Sequence, residues 1–299
     1  MPPKNITNTT ELMQVKKYLL YTLTSLLAGC LPELDIPPTN SRTADLMPET
    51  IHLDLGNPTN ATVNASQSQN YLIVREQYAL SYNREKGTAN WVAWYLDRAW
   101  IGDVARQDDF RADTALPGVW YRVDDDDYVN SGFNRGHLCP SGDRTNTPVD
   151  NSATFLMTNI IPQAPDNNQG PWRDFEEYTR DLVTGENDNE VYVYSGVYGR
   201  GGEGSDGTKE TIAEGNVVVP TNLWKVVIVL PQGEDDLNRI DENTRIIAID
   251  IPNEQGIRSA DWQDYRVSVD AIEANAEVDF LADLSETLQE TLESRVDTQ

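Results

Sequence analysis

Between Asn134 and Arg180 the chain concentrates the residue types that a hydrolytic reaction needs. The stretch opens Asn134-Arg135-Gly136-His137, passes through Asp166-Asn167-Asn168-Gln169-Gly170-Pro171-Trp172 and ends on Glu176 and Arg180. His137 is one of only two histidines in 299 residues, and unperturbed histidine is the side chain that exchanges a proton near neutral pH. Asn168 stands just before a helix opened by Pro171. There its side chain can cap backbone N–H groups, or offer its carbonyl oxygen to a hard cation. Magnesium prefers oxygen ligands, keeps several waters and needs few protein groups. Glu176 and Arg180 are four apart, hence on one face of that helix. They can form a surface ion pair, or a carboxylate that orients water around a metal beside an arginine that holds a phosphate. The set suits cleavage of a phosphodiester by a base-activated water beside a divalent metal.

Other motifs lead nowhere. Gly199-Arg200-Gly201-Gly202-Glu203-Gly204 has dinucleotide-binding spacing, but turn-like Ser205-Asp206-Gly207-Thr208 follows it where a helix is required. It reads as a flexible loop. Asp124–Asp127 lacks the sixth-position glycine and closing glutamate of an EF-hand, and reads as a solvated acidic loop. The chain carries a net charge of -26, which disfavours non-specific adhesion to nucleic acid. A phosphodiester substrate therefore requires a local basic cluster. Arg98, Arg106, Arg111, Arg122, Arg135, Arg144, Arg173 and Arg180 fall in one third of the chain; the alternative is that they pair with the many carboxylates.

The N-terminal segment reads as an export signal. Lys16-Lys17 precede an apolar run from Tyr18 to Ala28, too short for the roughly 20 residues of a membrane span. The run ends in Leu27-Ala28-Gly29-Cys30, which resembles a bacterial lipobox whose cysteine is lipidated. An ordinary secretory signal is the alternative, and Met13 starts either more naturally than Met1. The expected organisation is a lipoprotein-type signal over 1–29, a Pro-rich tether over 30–50, and a folded domain over 51–299. The protein is then exported and anchored to the outside of a bacterial membrane through Cys30, or secreted. Cys139 is left as a small buried hydrophobe.

Apolar and β-branched runs predict strands at Asn70–Val74, Leu80–Tyr82, Trp91–Tyr95, Thr154–Ile161, Glu190–Val197, Asn216–Val219, Trp224–Leu230 and Arg245–Ile251. Helices are expected at Gly170–Val183, Val267–Asn275 and Leu284–Val296. Strands outnumber helices without regular alternation, so the fold class is α+β with a central, mostly antiparallel sheet flanked by helices.

The residues Asn134–Thr145, Phe155–Gln163 and Asp166–Trp172, with Glu176 and Arg180, resemble the DNA/RNA non-specific endonuclease family. These sugar-non-specific nucleases have a ββα-metal active site and are related to endonuclease G. The likeness extends to Tyr78–Trp94, Arg106–Pro117, Trp224-Lys225-Val226 and Ser268–Ile272, about residues 51–296 in all. It implies that His137 is the general base and that Asn168 is the sole direct protein ligand of one Mg2+, with Mn2+ as a substitute. It further implies that Glu176 holds a water of the metal's shell, that Arg180 and Arg106 contact phosphate oxygens, and that Arg135 fills the motif's arginine position. The expected substrates are DNA and RNA, cut with little sequence preference to leave 5′-phosphate and 3′-hydroxyl ends. Asn134 departs from the family's aspartate, removing a negative charge near the hydrated cation. That departure leaves a second reading, a degenerate nuclease that binds nucleic acid at the cell surface. No feature of the sequence identifies an inhibitor protein.

Overall fold

Seven strands build the main sheet of the computed structural model, which describes residues 49–186 and 188–299. The signal, Cys30 and the tether up to residue 48 lie outside the described residues. β1 (Tyr71–Val74), β2 (Ala79–Asn83) and β3 (Thr88–Leu96) form a meander. Beside β3 lie in turn β6 (Asn189–Tyr198), β11 (Asn222–Pro231), β12 (Arg245–Pro252) and β13 (Arg266–Val267), every pairing antiparallel. The class expected from the sequence, α+β with an antiparallel sheet, is the class observed.

The long strands are apolar at nearly every position because both faces are covered. On one face Val92, Trp94, Val193, Leu223, Val227 and Ile249 meet Trp172, Phe175 and Val183 of α3 (Pro171–Thr184). On the other, Trp91, Ala93, Tyr194, Trp224 and Val226 meet Ile272 of α5 (Val269–Ala276), Phe280, and Leu292 of α6 (Glu286–Glu293). Alternation along each strand sends neighbouring residues to opposite cores. In α3 the buried Trp172, Phe175, Thr179 and Val183 recur every three or four residues, forming one helical stripe.

Four predictions about elements need correction. Thr154–Ile161 is not one strand: α1 (Pro148–Ala153) and a 3-10 turn at Met157–Asn159 precede β5 (Ile160–Gln163). This run is apolar because it is buried, not because it is extended. Asn134–His137, which has little strand propensity, forms β4 and pairs with β5. The glycine-rich stretch is an ordered hairpin of β7 (Gly202–Gly204) and β8 (Gly207–Lys209), not a flexible loop. Its backbone runs so close to Gly132 that a Cβ on Gly204 would lie 2.5 Å from the Gly132 carbonyl oxygen. The segment Asn216–Val219 shortens to β10 (Val217–Val218), paired with β9 (Thr211–Ile212). Asp124–Asp127 forms a capped 3-10 turn rather than a bare acidic loop, and Asp125 pairs with Arg135.

Candidate active site

β4 and β5 pair with Asn134 opposite Gln163 and His137 opposite Ile160. Gly136 makes this approach possible, since a Cβ there would sit 2.0 Å from Gln163 Oε1. Pro165 opens α2 (Pro165–Asn168), and Pro171 then opens α3. The turn between them is tied to the main sheet. Gln163 Nε2 donates to Asn167 Oδ1, Asn167 Nδ2 donates to the Pro252 carbonyl, and the Asn253 side chain accepts from Ala164 N–H and donates to Pro162 and Pro220. Two strands and a helix thereby bring His137, Asn168 and Glu176 to one cavity of about 260 Å³, also lined by Arg106, Arg135, Arg173 and Arg180.

His137 is 7% exposed. Its ring stands edge-on to Phe155 at 4.9 Å and lies 5.5 Å from Phe110, and its buried Nε2 has no hydrogen-bond partner among the described residues. Burial first, then the positive charges of Arg106 and Lys225, lower its pKa to about 3. The ring is therefore neutral across the physiological range, whereas composition alone suggested ordinary titration near neutrality.

Asn168 does not cap α3. Gly170 occupies the N-cap position and no side chain caps that helix. Instead Asn168 Nδ2 donates to Asn134 Oδ1 at 3.1 Å, and Gln169 Nε2 donates to the same oxygen at 3.0 Å. Holding the Asn168 nitrogen leaves its carbonyl oxygen as the branch available to the cavity. An amide oxygen beside a carboxylate is a donor set for a hard cation that retains most of its waters, not for a soft one.

Glu176 and Arg180 form no ion pair with each other among the described residues; each has a buried partner. Glu176 Oε1 accepts from Lys225 Nζ at 2.9 Å, and that ammonium lies 3.7 Å from the centre of the Trp172 ring. Burial raises the Glu176 pKa and lowers that of Lys225, while their contact opposes both shifts. Arg180 Nη1 donates to Asp143 Oδ1 at 2.9 Å, and Asp143 Oδ2 accepts from Trp94 Nε1. Arg106 donates to Ser141 Oγ and lies over Phe155, while Arg135 lies over Phe110 and pairs with Asp125.

The basic cluster is smaller than the sequence suggests. Arg144 is wholly buried, donating to the carbonyls of Gln77, Asp143 and Tyr95 beneath the Trp100 ring. Arg98 and Arg122 donate to backbone carbonyls, and Arg111 pairs with Asp109. Four of the eight arginines line the cavity. Sequence reasoning assigned no role to Lys225, Asp143, Phe110 or Phe155. Lys225 carried a signal, a charge on the inward phase of an otherwise apolar strand; the other three did not.

Comparison with known proteins agrees with this geometry. Residues 55–287 match the family described as DNA/RNA non-specific endonuclease. A nuclease of Nostoc sp. is 45% identical over 276 residues, covering 92% of this chain and 96% of that protein. Human mitochondrial Endonuclease G is 33% identical over 165 residues, covering 53% of this chain and 54% of its own length. The fold is shared with an EndoG/EndoGI complex structure at a TM-score of 0.64 and 22% identity, covering 79% of this chain and 92% of that one. The chain belongs to the DNA/RNA non-specific endonuclease family.

Proposed function

We propose that this endonuclease cleaves DNA and RNA with His137 as general base and one magnesium ion held by Asn168. The observation that carries the reading is a histidine in one arginine-lined cavity with a carboxylate and an asparagine whose amide nitrogen is already tied down. His137 takes the proton from an attacking water in line with the leaving oxygen. Arg180, braced by Asp143, and Arg106, braced by Ser141, hold the phosphate oxygens. Glu176 gives one oxygen to Lys225 and keeps the other to orient water near Asn168. Bound magnesium, or manganese in its place, supplies stabilisation for charge developing on the phosphate and the leaving 3′-oxygen. Low sequence preference fits a site that contacts phosphates rather than base edges.

The test is plasmid nicking. Chelation abolishes turnover and magnesium restores it, and His137→Ala lowers turnover by roughly 10²–10⁴-fold with little change in nucleic-acid binding. A folded His137→Ala protein with near-normal turnover refutes the mechanism. Nucleic-acid binding by the wild type without turnover at any magnesium level supports the degenerate-nuclease reading instead.

We also propose that the mature chain begins at a lipidated Cys30 and is exported to the outside of a bacterial membrane; the support is the Lys16-Lys17, apolar-run and Leu27-Ala28-Gly29-Cys30 order. Cys30→Ser prevents attachment and releases the protein from the detergent phase. An unmodified Cys30 on mature protein, seen by mass spectrometry, refutes the anchor.

A further inference from the structure

We infer that a calcium ion binds between α5 and α6, coordinated by Asp270, Glu273 and Glu293, on the face of the sheet opposite His137. One carboxylate oxygen from each residue lies within 4.8 Å of the others. Calcium–oxygen bonds are about 2.4 Å, so two ligands on opposite sides of the ion are separated by about 4.8 Å. Three oxygens so spaced lie within about 2.8 Å of a common point, close to the length of a calcium–oxygen bond. Asp270 and Glu273 lie three residues apart on α5, and Glu293 ends α6 across a nine-residue connection.

The second observation is the state of Glu293. It is 4% exposed, and its Oε1 is buried without a hydrogen-bond partner. An unsatisfied buried carboxylate oxygen costs more than any ordinary lost hydrogen bond. The charges that act most on Glu293 are those of Glu273, Asp270 and Asp279, all of its own sign, and only the Gln289 side chain opposes them. Glu273 commits one oxygen to the Phe280 N–H at 2.7 Å, which fixes its carboxylate beside Glu293 and leaves the other oxygen uncommitted. A bound cation satisfies the orphan oxygen and the mutual repulsion together. An all-oxygen set with no histidine or cysteine selects a hard ion. Calcium accepts this irregular, partly buried set more readily than magnesium, which demands a near-ideal octahedron and keeps its waters.

The site is separate from the nuclease chemistry. Ile272 and Leu292, chain neighbours of Glu273 and Glu293, pack against Trp224 and Val226, while His137 lies beyond the other face, where Val92 and Trp94 point. Glu293 also lies beyond residue 287, where the family match ends. Bound calcium would fasten α6 to α5 and so stabilise the C-terminal segment.

Thermal unfolding of the full folded protein, stripped of metal by chelator and then titrated with calcium alone, tests this. Wild type should gain about 5 °C in Tm at saturating calcium, with a smaller gain from equal magnesium. Glu293→Gln, nearly isosteric, and Asp270→Asn, on the exposed side, should each cut the gain to less than about 1 °C. Calcium bound at the nuclease cavity affects wild type and variants equally and cancels in the comparison. Absence of a calcium response in wild type, or an equal response in both variants, overturns the proposal. So does a Glu293→Gln variant that is more stable than a calcium-indifferent wild type, because that result marks Glu293 as a protonated acid.

Discussion

Asn134 stands where the family resemblance implies an aspartate, and its geometry gives it a definite task. Its Oδ1 accepts from Asn168 and Gln169 together, which fixes the side chain proposed to hold the ion. A carboxylate could accept the same two bonds, more strongly because it is charged. It would also restore negative charge close to the hydrated cation, and such interactions weaken with distance. Repulsion of the phosphate opposes this, but the cavity already presents four arginines to that group. Asn134→Asp should therefore lower the magnesium concentration needed for half-maximal nicking. A slower Asn134→Asp enzyme at every magnesium level would show that asparagine is the adapted residue here. At this scale the site was legible because His137, Asn168, Glu176 and Arg180 sit within one short stretch whose spacing can be read directly. Their braces were not: Asp143 and Phe155 lie in that same stretch and Phe110 upstream of it, but no local pattern marks their contacts with Arg180 and His137.

Elements position those side chains, and the least obvious support runs from the sheet to the helix. β11 presents Lys225 on the same face as Leu223 and Val227, under α3, where it meets Glu176. Removing one member of a buried ion pair leaves the other uncompensated, a loss of roughly 3–5 kcal/mol. Glu176 retains some contact with solvent, so Lys225→Met should destabilise by about 3 kcal/mol, the lower end of that range. Replacing both residues, Glu176→Gln with Lys225→Met, should recover most of the stability but not the turnover. Urea unfolding and plasmid nicking on the three variants separate the effects; additive losses in stability would show that the pair is not coupled. The long strands were legible because both faces are buried and the composition is accordingly apolar and β-branched. β4 was not, because Asn134-Arg135-Gly136-His137 is extended by pairing with β5 rather than by its own propensity. The run at Thr154–Ile161 misled for the opposite reason, since burial alone makes turns and short helices as apolar as strands.

At the scale of the molecule, an acidic chain keeps a cationic cavity while other arginines serve internal structure or pair with surface carboxylates. Arg144 is the clearest case, and it bears on the second histidine. His52 is 1% exposed; its Nε2–H donates to the Glu76 carbonyl and its Nδ1 accepts the Tyr95 N–H. That arrangement holds only for the neutral ring, because a proton on Nδ1 would face another donor. Burial, then the charge of Arg144, lowers the His52 pKa to about 4. The unfolded chain, with a pKa of about 6.5, binds the proton more readily throughout that interval. Stability from His52 is thus present in full above about pH 6.5 and is lost as pH falls through about 4. The drop from 6.5 to about 4 corresponds to a loss on the order of 3 kcal/mol. Carboxyls with raised pKa values, such as Glu190 and Glu273, act in the opposite direction, so the wild-type curve alone does not isolate the effect. The comparison that does is wild type against His52→Gln, by urea unfolding at pH 7.5 and 4.5. The variant should be weaker at pH 7.5, where the two imidazole hydrogen bonds are lost. It should also lose less stability on acidification, so that the two curves converge. Its nicking rate at pH 7.5, under conditions where it remains folded, should match wild type, because His52 packs on Trp100 and Tyr95 and not in the cavity that holds His137. Parallel stability curves would mean that His52 titrates alike in the folded and unfolded chains, and that its burial carries no acid sensitivity.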